Sequence, residues 1–150
     1  MIPDIYLHTP SGHFRYRAAA IIIENDAICF IGNPHDDYLY SLGGAVKLGE
    51  TSEEALLREI KEETGQVYAI DRLICIHENF FVDHGQNRHE ICLYYLMKSK
   101  GKTFLAPTDN EETVHWIPIS ELSQHRLYPN FLDKILQSTH SGIHHIVTSN

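Results

Sequence analysis

GGAVKLGETSEEALLREIKEETGQ, Gly43 to Gln66, packs six glutamates into one short stretch. Glu50, Glu53, Glu54, Glu59, Glu62 and Glu63 are offset only by Lys47, Arg58 and Lys61. Like charges one helical turn apart cost a helix roughly a few tenths of a kcal/mol per pair. Either water screens them on a solvated face, or something positive sits among them. The segment has well-marked ends. Thr51 with Glu54 three residues on fits a capping box, and Gly65 fits a left-handed C-terminal cap. A helix is therefore predicted from about Ser52 to Thr64.

Placed at about 100° per residue, Leu56, Ile60 and Leu57 fill a core-facing arc and Glu54 and Lys61 a solvent arc. Glu59, Glu62 and Glu63 share a third arc. A merely solvated helix has no reason to gather three carboxylates away from its own lysine. Spacing alone still leaves two readings open, a metal site and a solvated acidic face. Carboxylate oxygens are hard ligands that suit Mg²⁺ or Mn²⁺ better than zinc. Arg58, four residues from both Glu54 and Glu62, is placed to steer a carboxylate from outside a metal shell. The Gly43-Gly44 pair lets the backbone approach that shell closely, and Glu50 reaches it from the loop.

Working outward, the chain of 150 residues suits one domain spanning 1–150. Its 43% hydrophobic and 21% charged content is ordinary for a globular protein. The longest apolar run, Ala18–Ile23, is strand-sized and far short of a membrane span. MIPDIYLHTP has no basic region followed by an apolar stretch, so no signal peptide is expected. Cys29, Cys75 and Cys92 sit far apart in apolar runs and read as buried thiols of a reduced compartment, the cytoplasm. The net charge of -8 argues against a nucleic-acid backbone as partner. It admits a small phosphorylated substrate if metal ions supply the positive charge.

FRYRAAAIIIEN (14–25) and AICFIG (27–32) read as two strands of a hairpin. NPHDD (33–37) is a loop, and YLYSL (38–42) a short strand leading into the glycine pair. RLICIHENFFV (72–82) and HEICLYYLMK (89–98) are strands around the turn DHGQNR, and KGKTF (100–104) extends the second. VHWIPI (114–119) is a strand, ISEL (119–122) a helical turn, and PNFLDKILQ (129–137) a helix opened by Pro129. The tail IHHIV has no clear assignment. Strands on both sides of a central helix, then a terminal helix, indicate a mixed sheet covered by helices.

The acidic stretch resembles the signature of the Nudix hydrolases. That signature runs glycine, five residues, glutamate, seven residues, then Arg-Glu-aliphatic-x-Glu-Glu-x-Gly-aliphatic. Here it is Gly44, Glu50 and Arg58-Glu59-Ile60-Lys61-Glu62-Glu63-Thr64-Gly65, with every charged and glycine position matched. Gln66 departs from the final aliphatic position, Leu42 stands where proline often precedes the glycine pair, and Lys47 replaces a common glutamate. The flanking strands and the last helix fit the same family, so the resemblance covers most of the chain.

The resemblance implies an α/β (α+β) fold, an α/β/α sandwich with a mixed β-sheet between the signature helix and the C-terminal helix. It implies hydrolysis of a nucleoside diphosphate linked to some group X, with Mg²⁺ or Mn²⁺. Glu59 and Glu63 would be the central metal ligands, with Glu62, Glu50 and the Gly44 carbonyl beside them, and Arg58 orienting a carboxylate. Family members differ in their general base. DNEETVHW supplies Glu111 and Glu112, of which Glu112 is favoured here, with an acidic surface loop as the bland alternative and Glu59 as the next choice. Arg15 and Arg17 share a strand face and either meet a substrate phosphate or simply face solvent. Tyr38, Tyr40, Phe80 and Phe81 either stack a base or belong to the core, and Phe81 is retained as a candidate contact. Eleven histidines include no zinc-specifying spacing.

The leading substrate is a nucleoside triphosphate or related small nucleotide. ADP-ribose, another nucleotide sugar or a dinucleoside polyphosphate follows, the first weakened by the lack of a proline between Gln66 and Ala106. Neither nucleic acid nor membrane is an expected partner, and a homodimer is compatible with such a domain. A non-catalytic nucleotide sensor is the competitor from another class. Such sensors usually lose signature glutamates, and this chain retains all of them.

Overall fold

The computed structural model describes residues 1–105 and 112–149. Two sheets carry the strands. The larger is six-stranded and runs β1 (Tyr6–Thr9), β2 (Gly12–Ile21), β8 (Gln86–Met97), β7 (Ile70–Asp83) and β11 (His144–Ser149), with β6 (Gly43–Ala45) also paired to β2. The smaller is five-stranded and runs β10 (Leu127–Tyr128), β5 (Leu39–Ser41), β4 (Ala27–Gly32) and β3 (Ile23–Glu24), with β9 (Thr113–Pro118) on β4. Helices α1 (Ser52–Thr64) and α2 (Leu132–Gln137) and a 3₁₀ turn (Ile119–Gln124) complete the fold. The architecture is mixed α+β as expected, with its strands divided between two sheets rather than held in one. Among the described residues no helix is long and apolar enough to cross a membrane.

The apolar run at 18–23 explains the division. Ala19 and Ile21 join one buried cluster with Phe30, Tyr94 and the α2 residues Leu132 and Ile135. Ala18, Ala20 and Ile22 face the other, with Cys29, Ile31 and the α1 residues Leu56 and Ile60. A strand buried on both faces reads as a continuous apolar run instead of an alternating one. The expected long hairpin 14–25/27–32 is thus only its tip. Asn25 and Asp26 take positive φ of 51° and 61°, and just Ile23↔Ile28 and Glu24↔Ala27 pair across the turn. Upstream of Ile22 the strand leaves for the other sheet, where Ile21 pairs with Leu96 of β8.

Three further expectations change. Segment 100–104 forms no strand, because Ser99, Lys100 and Gly101 bond to Glu24 instead of to a ladder. Helix α2 starts at Leu132 and not at Pro129. The tail becomes β11, pairing in parallel with β7 from His144↔Cys75 to Ser149↔Phe80. The turn at 83–88 tightens to His84-Gly85, both at positive φ, so β7 and β8 pair as far as Asp83↔Gln86.

Candidate active site

Helix α1 forms as its caps dictate. Thr51 accepts from the Glu54 N–H, the Glu54 carboxylate accepts from the Thr51 N–H, and Gly65 closes the end at φ 72°. Ala55, Leu56, Ile60 and Thr64 are buried, each large aliphatic side chain contributing about 1.5–3 kcal/mol. Leu57 is 41% exposed and not part of the core arc. The buried stripe is narrower than expected and leans towards Ala55 and Ser52, whose hydroxyl meets the Tyr95 hydroxyl of β8 at 2.6 Å.

That stripe sets Glu59 and Glu63 against β6. Gly43 and Gly44 pair with Ala19 and Ala18 of β2. A Cβ on Gly43 would lie 2.2 Å from the Ala18 carbonyl oxygen. A Cβ on Gly44 would lie 2.5 Å from the Glu59 carboxyl carbon. The glycine pair is therefore what allows the Glu59 carboxylate to lie flush on the strand. Glu63 Oε1 accepts from the Gly43 N–H at 3.1 Å.

Arg58 ties the remaining acids together. Its Nε and Nη2 meet Glu50 Oε2 and Oε1 at 2.8 and 3.0 Å, the bidentate geometry that suits guanidinium and carboxylate. Nη1 donates to Glu59 Oε1 at 2.9 Å and Glu62 Oε2 at 3.2 Å, and Nη2 to the Ala45 carbonyl. Glu50 also accepts from the Lys47 N–H. The Arg58 bonds hold Glu50 below the usual carboxylate range. Burial pushes Glu59 up, against its bonds to Arg58. Burial pushes Glu63 up to about 8, with Glu59 and Glu112 adding to the push against the Gly43 N–H and Arg17.

Glu112 sits at the entrance to β9, and its Oε1 accepts from the Tyr40 hydroxyl at 2.6 Å. It is close enough to Glu63 to raise that group's pKa. Glu111 lies outside the described residues. Beyond Tyr40 and Arg17 opens a cleft of about 1070 Å³. Arg15, Arg17 and Phe81 all line it. Arg15 reaches Glu90 Oε2 through Nε and Nη2 at 3.0 and 2.7 Å, while Arg17 Nη1 stands 4.0 Å from Glu90 Oε1. Two cations sharing one carboxylate leave this wall net positive. Phe80, by the alternation of β7, stacks on His89 at 4.3 Å and is 38% exposed.

Sequence reasoning missed the rest of the cleft wall, including Arg88, Glu90 and Tyr94. A signal was available. His13, Arg15 and Arg17 alternate on β2 as Arg88, Glu90 and Cys92 alternate on β8, and these residues pair in register. Pairing partners far apart in sequence hid it.

As they stand, no three His, Cys, Asp or Glu side chains among the described residues are gathered to hold a metal ion. Arg58 draws Glu59 and Glu62 towards itself, and Gly43 holds Glu63. The donor chemistry nonetheless fits a hard divalent cation. Glu59 and Glu63 are oxygen ligands whose charged forms are disfavoured by partial burial, a cost that a cation between them would remove.

The family model of the NUDIX domain matches residues 14–138. A Mycobacterium tuberculosis protein named mutator protein MutT4 is 32% identical over 85 residues, covering 57% of this chain and 34% of its own. An ADP-ribose pyrophosphatase of Methanocaldococcus jannaschii is 34% identical over 80 residues, 53% of this chain and 46% of its own. The chain thus spans less than half the length of either curated relative. A MutT protein structure from Bacillus halodurans superposes with a TM-score of 0.66 at 18% identity, covering 90% of both chains.

Proposed function

The chain belongs to the NUDIX domain family, and from that premise we propose that it is a single-domain hydrolase cutting the pyrophosphate bond of a nucleoside diphosphate linked to a group X. The observation that carries the reading is the pair of carboxylates, Glu59 and Glu63, seated against Gly43-Gly44 beside an arginine-lined cleft. Glu59, Glu62 and Glu63 would hold Mg²⁺ or Mn²⁺, with Glu50 and the Gly44 carbonyl at its margin. Such an ion neutralises phosphate oxygens and lowers the pKa of bound water when present.

The chain's own groups do the rest. Arg58 keeps Glu50 ionised and orients Glu59. Arg15 and Arg17 receive phosphate oxygens, and Phe81 offers an apolar wall. Glu112 takes a proton from the attacking water on Oε2, while the Tyr40 hydroxyl holds Oε1 in place. A nucleoside triphosphate or related nucleotide remains the first substrate reading. A nucleotide joined to a larger organic X, such as ADP-ribose or a nucleotide sugar, is the second. The second arginine on the cleft wall favours it, since Arg88 lies four strand residues from Arg17 and away from the acidic helix.

A panel of nucleotides with Mg²⁺ or Mn²⁺, read as phosphate release with and without added phosphatase, tests the activity. Turnover on at least one member, lost in excess chelator and restored by metal, is expected. Turnover undiminished by chelator would overturn the mechanism.

A further inference from the structure

Among the described residues, three buried side-chain nitrogens have no hydrogen-bond partner: Arg17 Nε, Arg88 Nε and His89 Nε2. Arg17 and Arg88 lie on the cleft face of the sheet, whereas the His89 ring packs with Phe14 and Phe80 on the other face. Buried polar groups are nearly always paired, so two orphan guanidinium donors on one cleft face point to a ligand. Arg17 stands at the acidic-helix end. Arg88 does not. It pairs with His13 in the register that sets Cys92 against Arg17. Four residues of strand therefore separate the two arginines, roughly 13 Å along the sheet.

Arg88 is held by weakly compensating partners. Its Nη1 donates to His13 Nδ1 at 2.8 Å and to the Tyr6 hydroxyl at 3.1 Å, both neutral groups. A guanidinium only donates, so His13 Nδ1 accepts and its ring proton lies on Nε2. The nearest acid, Asp83, is 3.7 Å from Nη2 and closer to His84, at 2.9 Å. Arg15, by contrast, has a carboxylate partner, its Nε and Nη2 both donating to Glu90 Oε2. The far end of the cleft thus keeps a positive charge, an unpaired N–H and a neutral ring donor together.

We propose that the Arg88–His13–Tyr6 cluster is an anion subsite that receives a second charged group of the substrate, a phosphate monoester or a carboxylate remote from the scissile pyrophosphate. It rests on the hydrolase reading for its substrate class, and its fork geometry suits either group.

Two matched pairs of probes test it. NADPH and NADH differ by one remote phosphate, and UDP-glucuronate and UDP-glucose by one remote carboxylate. Affinities are measured by titration calorimetry on the full chain in excess chelator. The charged member of at least one pair is expected to bind about tenfold more tightly, the scale of one charge-assisted hydrogen bond. Arg88→Ala should close that gap and Arg88→Lys restore part of it, and the responding pair says whether phosphate or carboxylate is preferred. A thermal melt checks folding. Should Arg88→Ala fail to fold, the double variant Tyr6→Phe with His13→Gln removes the groups that aim the guanidinium and should shrink the gap. No gap in either wild-type pair, or a gap unchanged by these variants, overturns the subsite. Failure of the hydrolase reading is separate: it would appear as no metal-dependent turnover on any nucleotide, with the binding gap intact.

Discussion

Two glutamates, one buried and one half-buried, meet opposite fates in this molecule. Glu24, at the end of β3, is 1% exposed, and burial alone would raise its pKa. Four bonds outweigh that: Ser99 Oγ, the Lys100 and Gly101 N–H groups and the Tyr68 hydroxyl hold it below the usual carboxylate range. Glu63 has one bond, from Gly43, and two acidic neighbours, and it is pushed up to about 8. A buried carboxylate with all its acceptors filled is a clasp between loop and strand. One left short of donors beside other acids is prepared for something positive that is not part of the chain.

The comparison breaks most sharply at Glu63. Glu63→Gln is expected to lower metal-dependent turnover beyond the roughly 10²–10⁴-fold that general-base help alone is worth, because a neutral amide is a poor ligand for a hard cation. Without metal the same variant should melt no lower than wild type, since it removes a half-buried acid from beside Glu59. Glu54→Gln, on the solvent arc, should leave turnover within about twofold. Equal turnover in the two variants, or a large loss of melting temperature in Glu63→Gln, would place both glutamates in the same class.

The sequence made one of these fates legible and hid the other. Helix α1 could be placed to the residue because its signals are local: a capping box four residues long, a glycine at the exit and a period of 3.6 residues. Glu59, Glu62 and Glu63 are sorted by that same period. Glu24 read only as the polar end of strand 14–25, since its four partners lie 44 to 77 residues away. The division of strands between two sheets was hidden for the same reason. Nothing near Ile22 says that one neighbour pairs with Leu96 and the next with Ile28. Leu57 misled because a helical wheel does not say how wide the covering surface will be.

A second test concerns the proton acceptor. Glu112→Gln is expected to lower turnover about 10²-fold or more while leaving the metal concentration dependence nearly unchanged. Tyr40→Phe, which frees Glu112 Oε1, should produce a smaller loss in kcat with KM held. A matching fall in metal affinity for Glu112→Gln would make it a ligand and not a base. Both variants at the wild-type rate would return the role to the helix, with Glu59 next.

The glycine pair gives an intermediate effect that separates stability from chemistry. Gly44→Ala meets only the flexible end of Glu59. It should cost little in melting temperature yet cut turnover by roughly 10–100-fold, the scale of a displaced supporting group at a metal site. Gly43→Ala meets the Ala18 backbone at φ 153°, so its loss should appear in melting temperature first. If Gly44→Ala were as unstable as Gly43→Ala, the Glu59 carboxylate would not be the group that the missing Cβ accommodates.

The smallest effect is on the clasp. Glu24→Gln keeps the shape but turns a charged acceptor into a neutral one and sets an amide NH₂ against donors from Lys100 or Gly101. A stability loss of about 1–3 kcal/mol is expected, the usual cost of a buried group left mispaired, with turnover unchanged because Glu24 touches no part of the cleft. The pH dependence has a definite sign. The folded pKa of Glu24 lies below its ordinary value of 4.5, so the ionised form is the one folding favours. Its contribution is fully present above about pH 4.5 and fades as pH falls through the lower folded value. Denaturant unfolding of both proteins from pH 7 to pH 3 should therefore show a gap that is constant near neutrality and narrows under acid. A gap that widened on acidification would mean that Glu24 folds protonated, and the contrast with Glu63 would vanish.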